Sequence, residues 1–326
     1  MAIAADTPIP TPLGWYYADE LKVGQLVFDR FGNATEIKSI QPYTPKEMFE
    51  VVCSDGSYVE GDRFLKINIT TAAHRTTYRQ HTGKRNFKRR LFFRTAKELF
   101  DGPLTERRNR LNYAINNVQP VHFYTEDHPV PPFIVGLWCI WCNKSNKFTL
   151  RTDMVEYVKA KIKESGWTAV HKEGRTIEIR PSILLSFLTK YQTIPTKLPI
   201  DYTFGSVEQR IEFLRGLFAR LPYVYKKKRD VFEFLGRNEK FLNLIQGVCE
   251  SLGIRAMLSS VPNTKSFNLT FKTSIQLVPH QEKKGSHVSY QHRLIQEVNK
   301  IPPKKCIHFE TDKPIAVGQS YLSVWH

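Results

Sequence analysis

Between Asp62 and Glu98 the chain has no acidic residue at all, although it has 31 acidic residues elsewhere. Cysteine is scarce and scattered: the five are Cys53, Cys139, Cys142, Cys249 and Cys306. An odd, dispersed set excludes a disulfide-stapled scaffold and fits a reducing compartment. No apolar run approaches the length that spans a bilayer. The opening "MAIAADTPIP" has no basic stretch followed by an apolar one, which excludes a secretory signal peptide and leaves the cytoplasm as the expected location. "WCIWC", residues 138–142, imitates a redox Cys-x-x-Cys, but a thioredoxin-like pair needs its first cysteine at a helix N-terminus. Here the pair lies inside an apolar helical stretch, and no further ligands at zinc spacing accompany it, so both cysteines read as core.

What is abundant is positive charge. The 326 residues include 48 Lys and Arg, giving a formal charge of +17, which favours a polyanionic partner. The excess concentrates in the acid-free segment 63–97, which carries Arg63, Lys66, Arg75, Arg79, Lys84, Arg85, Lys88, Arg89, Arg90, Arg94 and Lys97, with Tyr78, Phe87, Phe92 and Phe93 interleaved. A second cluster is Lys226, Lys227, Lys228 and Arg229. A charge run is ordinarily a solvated face. The complete lack of acids favours nucleic acid for the first of these.

The length allows two or three domains with real cores. Residues 7–70 read as β structure: "GQLVFDRFGNATEIKSI" sets a Gly-Asn turn between apolar runs, and "FEVVCSDGSYVEG" is a hairpin turning at Asp55-Gly56. Helical signals dominate from about 133 to 254. Asp153 is placed to cap a helix ending at Gly166, and Asn238 one ending at Gly253. Ser206 and Gln209 form a capping box at the head of a helix that carries "FLRGLFARLPY", residues 213–223, and whose Ile211, Leu214, Leu217 and Leu221 recur at helical spacing. A glycine mid-helix costs about 1 kcal/mol against alanine. Yet "FIVGLWCIWC" at 133–142 repeats the pattern: Phe133 matches Phe213, Gly136 matches Gly216 and Leu137 matches Leu217. Matched glycines let two helix backbones approach closely, so the spacing suggests a pseudo-twofold helix pair, with two ordinary core helices as the alternative. "SFNLTFKTSIQLV", "KCIHFET" and "PIAVGQSYLSVW" return to strand character.

The chain resembles an intein containing a LAGLIDADG homing endonuclease, of the phage type. "ADTPIPTPLGW" with "ADELKVGQLVFD" resembles the first intein block and "VVCSDGSYVEGDRFLKI" the second. "RTAKELF" and "NYAINNVQPV" resemble the strand regions before the endonuclease, "FIVGLWCIWC" and "FLRGLFARLP" its two signature helices, and "KKCIHFETDKPIAVGQSYLSVWH" the terminal blocks. The resemblance implies an all-β Hedgehog/intein horseshoe built from residues 1–125 and 284–326, with an α/β endonuclease inserted at 126–283. It also implies double-stranded DNA and a host extein as partners, a monomer, no membrane, and a bacterial or phage-infected cell.

Carried over residue by residue, the family's chemistry is missing. The first-residue nucleophile falls at Ala2, preceded only by Met1. In the second block the threonine position is Asp62 and the catalytic histidine position is Leu65. At the end, Trp325 and His326 take the Thr and His positions; His326 matches the penultimate histidine, and the cyclising asparagine is absent. Cys306 occupies a position where some inteins place an auxiliary nucleophile; without that subclass's companions it reads as core. The two endonuclease acids fall at Trp141 and Leu221, preceded by Ile140 and Arg220 in place of small residues. An active endonuclease would need Mg²⁺; this donor set implies no metal and no cofactor. Natural decay and deliberate editing both fit these losses. The resemblance also assigns DNA contacts to the basic segment, at Arg75, Arg79, Lys84, Arg85, Lys88, Arg89 and Arg90, and to Lys226, Lys227, Lys228 and Arg229. Two alternatives stand beside this reading: a sequence-specific DNA-binding module, and an active nuclease whose acids are instead Glu126, Asp127 or Asp230.

Overall fold

The computed structural model describes residues 2–75, 92–106, 109–124, 127–139, 147–172, 174–180, 184, 186–187, 200–220, 223–226, 231–281 and 292–325. The chain divides into two compact units, one of residues 1–122, 249–255 and 287–326, the other of 123–248 and 256–286. The return of 249–255 to the first unit is not visible in the sequence.

The first unit begins with strands β1 (Ala2–Ala4), β2 (Pro8–Thr11), β3 (Gly14–Tyr17), β4 (Leu26–Phe28), β5 (Ala34–Glu36) and β6 (Ser39–Tyr43). It continues through β7 (Met48–Cys53), β8 (Tyr58–Asp62), β9 (Lys66–Thr71), β10 (Phe92–Thr95), helix α1 (Ala96–Asp101), β11 (Thr105–Glu106), β12 (Arg110–Leu111) and β13 (Tyr113–Asn116). The second unit holds α2 (Pro132–Cys139), β14 (Lys147–Thr149), α3 (Val155–Glu164), β15 (Thr168–His171), β16 (Thr176–Arg180), α4 (Val207–Arg220), β17 (Val224–Lys226), β18 (Val231–Gly236), α5 (Glu239–Ser251, its last turn in the first unit), β19 (Ala256–Ser260) and β20 (Phe267–Phe271). The chain closes with β21 (His292–Ile301), β22 (Cys306–Glu310), β23 (Ile315–Val317) and β24 (Leu322–Trp325).

The first unit is dominated by an antiparallel sheet of eleven strands, ordered β23-β24-β9-β13-β21-β7-β8-β1-β22-β6, with β10 added on β9. Strands from both ends of the chain interleave in it: β1 lies between β22 and β8, and β21 between β13 and β7. The alternation of apolar and polar residues fixes the register, because a one-residue slip would turn the buried set outward. Asp55-Gly56 turns the β7–β8 hairpin, with Gly56 at φ +81°, where only glycine is free of strain. Ile3, Ile9, Phe49, Val51, Leu65, Ile67 and Val324 belong to one continuous core.

One expectation fails here. "AKELF" is helix α1, not strand: the Thr95 side chain accepts the Glu98 N–H at 3.1 Å while the Glu98 carboxylate accepts the Thr95 N–H at 2.8 Å. That reciprocal cap satisfies two first-turn donors that a strand would leave to a neighbour.

The second unit is mixed α/β and internally repeated. Its first sheet is ordered β14-β16-β15 and its second β17-β18-β20-β19. In the first half a helix leads into the single strand β14 and in the second into the pair β17–β18; in each a second helix follows, and a hairpin returns so that its later strand pairs the earlier one, β14 with β16 and β18 with β20. Phe218 of α4 packs edge-on against Phe232, Phe234 and Phe271 at 4.7–5.7 Å, seating the helix on the inner face of the second sheet. The Ser206–Gln209 capping box forms at the head of α4, and Asn238 caps α5 through the Phe241 N–H. Asp153 does not cap α3; its carboxylate is held by the Arg151 guanidinium, with both contacts at 3.1 Å.

Candidate functional site

The two glycine-bearing helices cross at their glycines. A Cβ added to Gly136 would stand 2.2 Å from the carbonyl oxygen of Phe213, 2.9 Å from the nitrogen of Leu217 and 3.1 Å from the Cα of Gly216. Added to Gly216, it would stand 2.0 Å from the carbonyl oxygen of Phe133 and 3.0 Å from the nitrogen of Leu137. The contacts are reciprocal: each glycine meets the phenylalanine three before, and the leucine one after, its counterpart. Only hydrogen side chains permit main chains this close. Phe133, Leu137, Phe213, Leu217 and Trp138 are buried around the crossing.

At the end of α4, the Arg220 guanidinium donates to the Leu137 carbonyl at 3.0 Å and lies 5.2 Å over the Phe148 ring. It thus satisfies a carbonyl in the last turn of α2, which has no intrahelical partner and favours a cation. Sequence comparison marks Arg220 only as too large; here it ties the two helices together. Trp141 and Leu221, with Ile140 and Pro222, lie outside the described residues, as do Glu126 and Asp230. Asp127 is described and exposed. Among the described residues no three His, Cys, Asp or Glu side chains converge to hold a cation. The resemblance expects the acids at positions 141 and 221; an indole and an isobutyl group offer no oxygen to a hard divalent ion, so that expected donor set does not fit Mg²⁺.

In the first unit the structure gathers Ala2, Asp62 and Leu65 around Gly61. A Cβ on Gly61 would lie 2.5 Å from the Ala2 carbonyl oxygen and 2.8 Å from Leu65 Cδ2. Ala2 is buried in β1 opposite His308, and Leu65 is buried in the main core. Asp62 is 1% exposed; one carboxylate oxygen accepts the Phe64 N–H at 3.1 Å and the other accepts the Tyr43 hydroxyl. Burial, then Asp62, push the Tyr43 phenol up. Cys306, paired across strands with both Ala4 and Tyr43, points its thiol at the Met48 sulfur at 3.6 Å. Burial, followed by the Asp62 charge, pushes that thiol up to about 12. It is therefore protonated and inert at neutral pH. The Tyr43–Asp62–Cys306 grouping escapes sequence reasoning because its members come from three different strands, Cys306 from the opposite end of the chain. His326 lies outside the described residues.

Most of the proposed DNA contacts, Arg79, Lys84, Arg85, Lys88, Arg89, Arg90, Lys227, Lys228 and Arg229, also lie outside the described residues. Arg75 is corrected. Its guanidinium is buried and donates to the carbonyls of Thr70, Asn112 and Leu111 at 2.8–3.0 Å, so it braces the end of β9 instead of facing a phosphate. Lys226 is exposed and pairs with Glu233 on the neighbouring strand at 2.7 Å. The acid-free segment is not acid-free in space: Arg63 meets Glu47, Arg94 meets Glu98 and Lys97 meets Asp101.

A buried charge network, also unforeseen, joins segment 249–255 to the first unit's sheet. Arg293, 1% exposed, reaches Asp55 at 3.1 Å, Glu250 at 2.5 Å and Asn117 at 2.5 Å; Arg255 adds a second contact to Asp55 at 2.9 Å.

No family model matches the chain. Over 299 residues, 86% of its length, it is 23% identical to a replicative DNA helicase DnaB of Mycobacterium intracellulare. It covers 49% of that relative, so the chain spans about half the length of the curated protein it matches. Among solved structures it is similar to the Msm DnaB1 intein splicing domain bound with zinc, over 30% of this chain and 62% of that one, at 22% identity and a TM-score of 0.22. It is also similar to the homing endonuclease I-DmoI, solved in complex with DNA and Mn, over 44% of this chain and 90% of that one, at 12% identity and a TM-score of 0.29.

Proposed function

We propose that this chain is an intein of the phage type whose inserted unit has the LAGLIDADG homing-endonuclease fold, silent in splicing and in cleavage, and retained as a binder of double-stranded DNA. One observation carries the reading: the reciprocal Gly136–Gly216 crossing, set between two halves of similar helix and strand order, the second with one more strand, β17. A pair of helices pressed together at glycines gives two sheets a common hinge line, which suits a two-part duplex site. The interleaving of both chain ends in one sheet, with the second unit inserted between them along the chain, adds support. The silence follows from residue chemistry. Ala2 has no hydroxyl or thiol to attack its preceding carbonyl, Leu65 cannot give or take a proton, and positions 141 and 221 carry no acid. On this reading the protein is a monomer in the cytoplasm of a bacterial or phage-infected cell, and its host extein is the protein in which the intein lies.

Filter binding to duplex DNA at several salt concentrations tests the proposal. If six to eight phosphates are neutralised, log K falls against log salt with a slope of about −5 to −7. Replacing Lys88, Arg89 and Arg90 by alanine flattens the slope by up to about 3 with little change in sequence preference, because phosphate contacts position the protein and do not specify bases. A slope near zero overturns DNA binding. Cleavage of duplex by the purified chain in Mg²⁺ or Mn²⁺ overturns the silence and returns Glu126, Asp127 and Asp230 as the acids to substitute. For splicing, Ala2→Cys in a chain given flanking exteins and an asparagine after His326 yields little product until Leu65→His is added, since general acid–base help is worth about 10²–10⁴-fold.

A further inference from the structure

After β20 the second unit folds residues 273–281 into a loop closed on itself. Gln281, 6% exposed, ties its ends: the side-chain amide donates to the Thr273 carbonyl at 3.0 Å, and the side-chain oxygen accepts the Leu277 N–H at 2.9 Å. The Thr273 hydroxyl accepts the Ile275 N–H at 3.0 Å, and Leu277 and Val278 are buried. Arg215 of α4 fastens this loop by donating to the Gln276 carbonyl at 2.9 Å, a bond between groups that do not titrate near neutrality. His280 fastens it by a bond that does. Its Nε2 lies 2.9 Å from the Tyr223 hydroxyl, and its Nδ1 lies 3.9 Å from the Asp153 carboxylate. Tyr223 stands between α4 and β17, and Asp153 sits just ahead of α3, so one imidazole links the loop to both halves of the unit.

Among the described residues, the charged and titratable groups facing that imidazole are Asp153 and Arg151 from the turn before α3, and Tyr223 and Tyr225 at the start of the second sheet. The Asp153 carboxylate selects the tautomer with its proton on Nδ1, which leaves Nε2 to accept the Tyr223 O–H. Burial pushes the Tyr223 phenol up to about 12, so it keeps that proton as pH falls. A second ring proton, on Nε2, sets donor against donor. The phenol must then turn its hydrogen away, beside Phe218, Phe232 and Phe234, where no described residue accepts it. The imidazolium gains attraction from Asp153, but that carboxylate is half-exposed and already held by Arg151, whose own charge repels the ring. A buried donor left without an acceptor outweighs a screened ion pair. We infer that His280 is a proton-operated latch: neutral, it pins the 273–281 loop across the two halves of the second unit, and protonated, it releases Tyr223 and the loop. Its consequence for binding rests on the duplex-binding reading above. An open latch leaves the two halves less firmly set against each other, and a duplex that needs both must order them as it binds.

Hydrogen exchange of the full chain at about pH 7.5 and about pH 5.5, which bracket the range where an imidazole titrates, tests the latch without any ligand. After correction for intrinsic rates, the amides of Ile275, Leu277 and Gln281 lose about tenfold in protection at the lower pH, the worth of one buried hydrogen bond, whereas those of β18 and β20 do not change. His280→Gln, whose side-chain oxygen accepts the Tyr223 hydroxyl at any pH, keeps its protection at both values, and Tyr223→Phe lacks it at both. Equal protection of the parent at the two pH values, or the same loss in His280→Gln, overturns the latch. So does a matching loss in β18 and β20, which marks general unfolding. Filter binding to a mixed-sequence duplex then reads the consequence. Protonating histidines ordinarily strengthens the hold of a basic protein on phosphates, whereas the latch weakens the parent's affinity by about tenfold on acidification, and His280→Gln escapes that fall. Loop release with no weakening overturns the effect on binding and leaves the latch standing; no binding at either pH overturns the duplex reading alone.

Discussion

Substitution of Gly216 by alanine is the sharpest test of the helix crossing. The new methyl would stand 2.0 Å from the Phe133 carbonyl oxygen and 2.9 Å from its carbon, both main-chain atoms that no rotamer change can move. To reach ordinary contact the helices must part by about an ångström at their closest point, and overpacking of this kind costs about 1–3 kcal/mol. With backbone on both sides, the upper end of that range applies. Alanine returns about 1 kcal/mol of helix propensity, leaving a net loss of about 2 kcal/mol. Gly136→Ala, 2.2 Å from the Phe213 oxygen, behaves alike. The double variant costs less than the sum, because one separation relieves both clashes. An internal control sits in α5: Gly247 is exposed, and a Cβ there would meet nothing within 4 Å. Gly247→Ala therefore stabilises by up to about 1 kcal/mol. Urea titrations followed by far-ultraviolet circular dichroism compare the three. The reasoning fails if Gly216→Ala unfolds at the parent's urea concentration or above, or if it shifts in the same direction as Gly247→Ala.

Further outcomes follow from the first unit. Arg75→Ala leaves three carbonyls without their donor and costs about 2–3 kcal/mol in a urea titration, while the salt slope of DNA binding stays unchanged. Glu250→Gln strips Arg293 of its shortest carboxylate contact at 2.5 Å; Asp55 still faces that guanidinium, so the loss sits near the lower end of the range for broken buried pairs, about 3 kcal/mol by denaturant titration. Burial works to raise the Asp55 carboxyl, but Arg293, Ser57 and Arg255 outweigh it and hold the group below its usual range. Its folded pKa is thus lower than its unfolded one. The stabilisation is full above about pH 4 to 5 and is lost as pH falls through the folded value, so Asp55→Asn flattens the acid limb of a stability–pH profile. Burial, then Asp55, push the Cys53 thiol up to about 11, and Cys306 stands at about 12, so Ellman's reagent at pH 8 modifies neither until the protein is unfolded.

The helix crossing was legible because both partners carry the same four-residue signature, Phe-x-x-Gly, and a costly mid-helix glycine repeated at one spacing implies a close approach. Hairpins at Asp55-Gly56 and the Ser206 and Asn238 caps were legible for a related reason: each is a local rule satisfied within about four residues. The α1 helix broke the pattern, yet its signal was present in Thr95-x-x-Glu98; the surrounding strand-like blocks obscured it. Arg75 and the ion pairs of Arg63, Arg94 and Lys97 mark the limit of charge counting. A stretch without acids along the chain still meets acids and carbonyls across the fold, from Glu47 to Asn112. The Asp55–Glu250–Arg293 network is the extreme case. Its members are separated by scores of residues and by a whole inserted unit, so nothing local announces it.

On the proposed reading, the corner around Gly61 accounts for how chemistry can leave a fold without taking the fold with it. Gly61 is fixed by the Ala2 carbonyl on one side and the Leu65 side chain on the other, so two positions that the proposed reading assigns to splicing also interlock as packing. A histidine at 65 would place two ring nitrogens in the apolar core to which Leu65 belongs, where each needs a partner or costs about 1–3 kcal/mol. Leucine instead contributes about 2 kcal/mol by burial. Asp62, held by Tyr43 and the Phe64 amide, closes the same corner with its hydrogen bonds made inside the fold. On the proposed reading, each replacement that silences the site also improves the core, which is the direction expected once selection for a strained reactive centre is lifted. The glycines at 136 and 216 had no such exit. Any side chain there drives backbone into backbone, so on that reading the crossing tolerates no replacement, whereas the ends of the same helices do.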